Sequence, residues 1–323
     1  MTLKPRIGLA LTLLALAACA GSPQPQPTGA APLRQLFAFE SSPWQNLHYF
    51  LLLEAKAKEP VAHAELPAGE RQVWQQAVAH YRQHLAKRSL LFDSGMIEIR
   101  DRLTALGDSE TLVDPAGLEP ELAAVLGAAA PVYHQRFWPA HDAANQRMIA
   151  RLKEMVARHA DLADELARIY RTSWPAEPVR VDVSVYADWS GGFTTVEPTH
   201  ITIAAEDSRH EGELALELLF HEASHGLMRT VHQALDAEVA RQGVKLERND
   251  LWHVVLFYTT GELVKRRLPA GYVPYAEKQD LYRGSWKTFH EAVDAKWLPY
   301  IDGTASFEEA VAGVVGALKT PAP

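Results

Sequence analysis

The sequence predicts a predominantly helical α+β protein with one small sheet, and three observations support this class. Apolar residues recur at helical spacing through much of the segment 42–172. Two short runs, 179–187 and 199–205, instead have the β-branched character of strands, and the helical pattern resumes after residue 207. The chain has 323 residues, of which 47% are hydrophobic and 22% charged, which is the composition of a globular protein with one or two domains.

The first element is an export signal. Lys4 and Arg6 precede an apolar run that ends at Ala18 and is too short to cross a bilayer, so residues 1–18 are typical of a signal peptide. The sequence Leu-Ala-Ala-Cys that ends at Cys19 resembles the lipobox of bacterial lipoproteins, which implies a lipid on this cysteine. The alternative is ordinary signal-peptidase cleavage near Ala20, which would release a soluble exported protein.

Both interpretations place the mature protein outside the cytoplasm. Cys19 is not followed by Asp. By resemblance to bacterial lipoproteins, this implies sorting to the periplasmic face of the outer membrane. Residues 19–34 are rich in proline and predict an extended tether between the lipid and the folded chain. The formal net charge of −8 argues against a nucleic acid partner.

Residues 35–175 are predicted to be a helical region without a recognisable motif, and we interpret them as a scaffold. His141 in this region is expected to be structural. The predicted helices follow from apolar periodicity and from proline at first-turn positions, as at Pro43. They cover residues 42–58, 71–87, 95–106, 118–129 and 139–172.

Residues 176–323 form the second predicted region. Its two strands, 179–187 and 199–205, are separated by a turn at Gly191-Gly192. Four helices are predicted to follow, at residues 208–242, 250–267, 276–296 and 306–318.

The motif that indicates chemistry is His221-Glu222-Ala-Ser-His225, an HExxH sequence within the predicted helix 208–242. Residues four apart lie one turn apart on the same face of a helix, so both imidazoles can bind one tetrahedral ion. Glu222 beside them can accept a proton from a water molecule that zinc has made more acidic. The surrounding helix is apolar on nearly every side, which implies that the cluster is buried and needs partners or a metal. The alternative to zinc is a hydrogen-bonded structural cluster.

This motif and the strand-type run before it resemble the zincin metallopeptidases. The resemblance covers residues 179–268 and is specific only at the five motif residues. It implies a zincin-like region in which a small sheet covers the HExxH helix, with an edge strand above a catalytic Zn²⁺. The run 199–205 would take the place of that edge strand and hold a peptide as an added β-strand.

A catalytic zinc usually has three protein ligands, so one more is required besides His221 and His225. Met228 and Val231 stand where the metzincin pattern requires Gly and His. In gluzincins, by resemblance, the third ligand is a Glu on a later helix, which implies Glu262. His253 lies on the same predicted helix and is the alternative; nine residues separate the two, so both cannot readily face one ion.

Three further roles are hypotheses. Tyr258, one turn before Glu262, would stabilise the oxyanion of a tetrahedral intermediate, unless it is only packed in the core. Glu217, one turn before His221, would orient the second ring nitrogen of that histidine, unless it is a surface carboxylate. Gly261 is expected to mark close approach of a neighbouring backbone.

The resulting expectation is a zinc-dependent hydrolase of peptide bonds, lipid-anchored at Cys19, with Glu222 as general base and a peptide or protein as substrate. Two alternatives stay open. One is a periplasmic binding or assembly lipoprotein that keeps a zincin-like fold without proteolysis. The other is a zinc amidase that acts on cell-wall peptides. The sequence leaves the substrate specificity and the oligomeric state open.

Overall fold

A computed structural model describes residues 34–58, 66–107, 109 and 117–319. The predicted signal peptide, Cys19 and all of the predicted tether except Arg34 lie outside the described residues. Within the part that the structure describes, no helix is both long and apolar enough to cross a membrane. The chain from Gln35 onward forms one compact unit, so the two predicted regions belong to the same folded body.

Six helices make up the first half of the described chain. The first begins after Ser42, whose side chain accepts a hydrogen bond from the backbone N–H of Gln45, with Pro43 at the first helical position. The predicted helix 139–172 is in fact two helices, because the chain leaves the helical conformation at His159. The helices are α1 (Pro43–Lys56), α2 (Ala68–His84), α3 (Ser94–Ala105), α4 (Pro120–Arg136), α5 (Trp138–Arg158) and α6 (Leu162–Ile169).

The described residues form one four-stranded mixed sheet with the order β1-β2-β4-β3. Its strands are β1 (Phe37–Glu40), β2 (Val179–Ser184), β3 (Gly192–Val196) and β4 (Thr199–Ala204). The pairs β1–β2 and β2–β4 are parallel, with Phe37 opposite Val179, whereas β3 is antiparallel to β4, with Gly192 opposite Ile203. The expectation that residues 199–205 form the edge strand is wrong, because β4 lies inside the sheet and β3 forms the edge.

The second half returns to helix in shorter pieces than predicted. The predicted helix 208–242 is divided into α7 (Leu214–Ser224), a 3-10 turn (His225–Leu227) and α8 (Arg229–Gln242). Gly226 lies in this 3-10 turn, where a Cβ atom would lie 2.4 Å from Thr199 Oγ1, so the glycine lets the start of β4 pack closely against the turn. The remaining helices are α9 (Leu251–Lys265), α10 (Tyr275–Lys278), α11 (Ser285–Ile301) and α12 (Phe307–Ala317).

The two larger of the three apolar clusters among the described residues lie on either side of the sheet. Alternate residues of β2 and β4, among them Val181 and Ile201, pack into the larger core with α5 to α9, α11 and α12. The other core is built mainly from α1 to α4 and includes Phe193 of β3. The prediction of a predominantly helical α+β fold is therefore confirmed, and α7 is held between the sheet and α9.

Candidate metal centre and active-site cleft

Helix α7 is buried along its whole length, which places its polar residues inside the protein. Leu216 and Phe220 pack in the larger core, and the Phe220 ring meets the Phe37 ring of β1 edge-on at 5.4 Å. His221 and Glu222 are 3% and 5% exposed, so neither side chain has bulk water to satisfy it. Buried polar groups of this kind require specific partners or an ion.

Three histidines converge at this point, from three neighbouring elements. His221 comes from the last turn of α7, His225 from the 3-10 turn, and His253 from the first turn of α9. One ring nitrogen from each histidine lies within 4.8 Å of the others, and the Nε2 atoms of His221 and His253 are 3.3 Å apart. These three side chains are therefore placed so that they can hold one metal ion.

Glu262, the expected third ligand, lies outside this cluster. It is at the other end of α9, where its carboxylate accepts a hydrogen bond from Arg266 at 3.1 Å and lies 3.9 Å from Lys265. His253, the alternative, takes the third position. The spacing of nine residues explains why only one of the two can face the cluster, because it puts them on nearly opposite sides of the helix.

The protein environment keeps the three imidazoles neutral. Burial lowers the pKa of His225 to about 3 and that of His253 to about 4, and the neighbouring Asp250 carboxylate partly opposes the shift of His253. Burial, together with His225 and His253, lowers the pKa of His221 well below its ordinary value. Because a metal binds the neutral imidazole, the cluster is ready to accept an ion at neutral pH.

Glu222 is tied to the edge strand. Its Oε2 atom accepts a hydrogen bond from the Thr194 hydroxyl at 2.8 Å and lies 3.9 Å from Nε2 of His225. Burial raises the pKa of this carboxyl to about 7, although the bond from Thr194 opposes the shift. A carboxyl with a pKa near neutrality can both accept and return a proton, as a general base requires.

Tyr258 and Glu217 have contacts other than those expected. Tyr258 donates a hydrogen bond to Asp294 of α11 at 2.7 Å and is not part of the cleft lining. Glu217 is buried, as an orienting residue would be, but it accepts bonds from the Tyr272 hydroxyl and the Tyr275 backbone N–H. The Nδ1 atom of His221, which Glu217 was expected to hold, has no hydrogen-bond partner among the described residues.

Gly261 marks a close approach, but of two side chains and not of a neighbouring backbone as expected. A Cβ atom at this position would lie 2.9 Å from Pro274 and 3.0 Å from the Glu217 carboxylate, so the glycine lets both approach α9. Pro274 and Glu217 together fix the start of α10. Tyr275 is the first residue of that helix, and its position therefore depends on contacts made by α7 and α9.

A cleft of about 610 Å³ opens beside the histidine cluster. Tyr275 lines it, and sequence reasoning missed this residue because it lies in a short irregular segment. Burial raises the pKa of Tyr275 to about 12, while Arg209 lowers it and the carboxylates of Asp207 and Glu222 raise it further. The phenol therefore stays protonated at neutral pH and remains a hydrogen-bond donor in the cleft.

A second group of metal-binding residue types lies on the surface, between α2 and α4. It consists of His80, His84 and Glu121, and Nδ1 of His80 is 3.5 Å from the Glu121 carboxylate. The Glu121 side chain is 76% exposed, so water already solvates it. The buried cluster on α7 and α9 is therefore the stronger candidate for a metal centre.

Comparison with known proteins adds no relatives: no protein-family model, no curated protein and no solved structure matches the chain.

Proposed function

We propose that the protein is a single-zinc hydrolase of peptide bonds, with His221, His225 and His253 as the metal ligands. The observation that supports this most directly is one distance. Two nitrogens bound at 2.0–2.1 Å to one tetrahedral zinc are roughly 3.3 Å apart. The Nε2 atoms of His221 and His253 are separated by 3.3 Å.

The donor set also favours a catalytic site over a purely structural one. The only cysteine of the chain is Cys19, so nitrogen and oxygen must hold any ion in the folded region. Three histidines leave the fourth position of a tetrahedral ion open to water or substrate. When bound, zinc supplies Lewis acidity, which polarises a substrate carbonyl and makes a water molecule more acidic.

Glu222 then carries the proton. Its Oε2 atom accepts a proton from the attacking water, whose oxygen bonds to the carbonyl carbon, and returns that proton to the leaving nitrogen as the C–N bond breaks. Thr194 holds the carboxylate from β3 at 2.8 Å, which fixes the direction of this transfer. The phenol of Tyr275 lines the same cleft and donates a hydrogen bond to the carbonyl oxygen as it becomes negative.

The test is zinc content and peptide hydrolysis measured on the same purified proteins. Wild type should hold one zinc per chain and cleave a fluorogenic peptide library. His221→Ala and His253→Ala should lose both properties. Glu222→Gln should keep the zinc but lose at least about 10²-fold in kcat, which is the smaller end of the range for a general base.

Glu262→Gln is the matched control, since its carboxylate bonds Arg266 outside the cluster. It should keep the zinc and the activity of the wild type. Full zinc content in His253→Ala, or undiminished kcat in Glu222→Gln, would overturn the proposal.

A further inference from the structure

The walls of the cleft are rich in arginine side chains. Three arginines line it, Arg209, Arg248 and Arg283, whereas Glu222 is the only carboxylate among the described lining residues. Each arginine has an aspartate partner, so the lining is distinguished by its guanidinium N–H donors and not by a net positive charge. The three arginines come from separate segments, which precede α7, α9 and α11.

Two of these arginines have hydrogen-bond donors to spare. Arg248 bonds Asp250 through Nε at 2.8 Å, and among the described residues its two Nη groups have no other partner in hydrogen-bond range. Arg283 pairs with Asp280 through Nη2. The side chains of Arg248 and Arg283 are 68% and 70% exposed, so both guanidinium groups can reach an anion in the cleft.

Arg209 has a different role, because its hydrogen bonds hold the wall of the cleft together. It bonds Asp207 with both Nε and Nη2, and Nη2 also donates to the backbone carbonyl of Trp189 at 3.0 Å. These bonds fix the segment that presents Trp189 at the mouth of the cleft. Arg209 therefore shapes the wall, while Arg248 and Arg283 are the groups left to contact a ligand.

The cleft also offers apolar surface next to the charge. Trp189 is 75% exposed, although a tryptophan is costly to leave in water. Phe257, Leu281 and Trp286 line the interior, and the Trp286 indole N–H donates to Asp250, the partner of Arg248. An apolar side chain and an anionic group can therefore bind side by side.

We infer that the cleft selects peptides that carry a carboxylate close to the bond that is cut, with Arg248 and Arg283 binding the carboxylate and Trp189 covering a neighbouring apolar side chain. This inference rests on the proposed function for the cleavage step. The carboxylate belongs either to an acidic side chain or to the free C-terminus of the peptide. The chemistry of recognition by guanidinium is the same for both.

The experiment measures binding separately from cleavage. Four labelled peptides share one apolar sequence and differ in a single Glu or Gln and in a C-terminal carboxylate or amide. Fluorescence anisotropy gives their Kd values for the zinc-loaded Glu222→Gln protein, which binds peptide without cutting it. We expect at least one carboxylate peptide to bind about 10-fold more tightly than the neutral peptide, with a preference that weakens as salt is raised.

The double variant Arg248→Gln/Arg283→Gln, in the same background, should reduce this preference to less than about 2-fold. Arg241→Gln is the matched control, since Arg241 is 68% exposed and pairs with Glu238 on α8, outside the cleft lining. It should leave the preference unchanged. Comparing the Glu and Gln peptides, and the peptides with a C-terminal carboxylate or amide, identifies whether the cleft binds an acidic side chain or a free C-terminus.

The outcomes separate this inference from the proposed function. Equal Kd values for charged and neutral peptides, or a preference that survives in the double variant, would overturn the inference even if the wild type cleaves peptides. A carboxylate preference that the double variant abolishes, in a protein whose wild type cleaves neither these peptides nor the fluorogenic library, would support the inference about binding and contradict the proposed function.

Discussion

His48 on α1 and His221 on α7 are both buried and both lie against aromatic rings, yet their nitrogens meet different partners. The Nδ1 atom of His48 is 2.7 Å from the Tyr81 hydroxyl, a group that can donate or accept. The Nε2 atom of His221 instead faces another imidazole nitrogen, that of His253, with His225 close by.

The difference teaches how to distinguish a structural histidine from a candidate ligand. The Tyr81 hydroxyl can pair with Nδ1 of His48 whichever tautomer is present, while Nε2 of His48 is buried without a hydrogen-bond partner among the described residues. His48 belongs to neither group of metal-binding residue types in this part of the chain, so its surroundings offer no second ligand for an ion. In the cluster, ring nitrogens of three imidazoles converge, and hydrogen bonds among them can satisfy only some of these nitrogens. One metal ion could bind all three. His48 and His221 are 0% and 3% exposed, so the kind of partner, and not burial, is the informative observation.

Metal removal should separate the two regions most strongly. At free zinc 1,000-fold above Kd, binding contributes about 4 kcal/mol, which for a protein of this size is roughly 8 °C in Tm. A chelator should therefore lower the Tm of wild type and of His48→Gln by about this amount, as measured by differential scanning fluorimetry. His253→Ala should not respond, and a chelator shift of wild-type size in that variant would break the contrast.

The tyrosines of the two regions should also behave differently. Tyr275→Phe removes the phenol donor from the cleft and should lower kcat by about 10- to 100-fold, since such donors act in the transition state. Tyr81→Phe removes the partner of His48 and should cost about 1–2 kcal/mol of stability, with kcat unchanged. Steady-state kinetics and urea unfolding on both variants check this, with Tyr258→Phe expected to keep wild-type kcat. Equal kcat in wild type and Tyr275→Phe would exclude the catalytic role.

A further expected effect is on the pH dependence of stability. Burial, with a smaller contribution from Arg88, lowers the pKa of His48 to about 3, against about 6.5 in an unfolded chain. Below pH 6.5, His48 is protonated in the unfolded chain but stays neutral in the folded protein. The free energy of unfolding therefore decreases as the pH falls from 6.5 towards 3.

By pH 5 this loss amounts to about 2 kcal/mol. Urea unfolding of metal-free protein at pH 7 and pH 5 should show a loss smaller by this amount in His48→Gln than in wild type. The three clustered histidines are common to both proteins, so the difference isolates His48. Parallel pH profiles would show that His48 does not titrate in this way.

The sequence could predict the chemistry of the site better than its geometry. Periodicity and composition were sufficient for the helical α+β class and for most helices, and the HExxH spacing was sufficient to place His221, Glu222 and His225 together. The choice between His253 and Glu262 depends on the rotation of α9 about its axis. That rotation is set by packing against α7 and α11, which no local pattern encodes.

The missed strands have a similar explanation. Strand β1 has only four residues, and β3 begins with Gly192, so neither offers a pattern long enough to recognise. The error over the edge strand follows from this omission, because β4 can only be recognised as interior once β3 is known. Tyr275 lay beyond prediction for another reason: its position depends on hydrogen bonds to Glu217, far away in sequence.

The parallel pairing of β1 with β2 has a consequence for the order of folding. Phe37 pairs with Val179, so β1 can form its hydrogen bonds only after a segment more than a hundred residues later has been synthesised. Helices α1 to α4 pack mainly against one another, so their contacts close shorter loops than the pairing of β1 with β2. Closing the sheet is a long-range step, and the HExxH helix can be fully covered only after it. Completing the cleft beside the histidine cluster therefore depends on a long-range pairing and not on local structure alone.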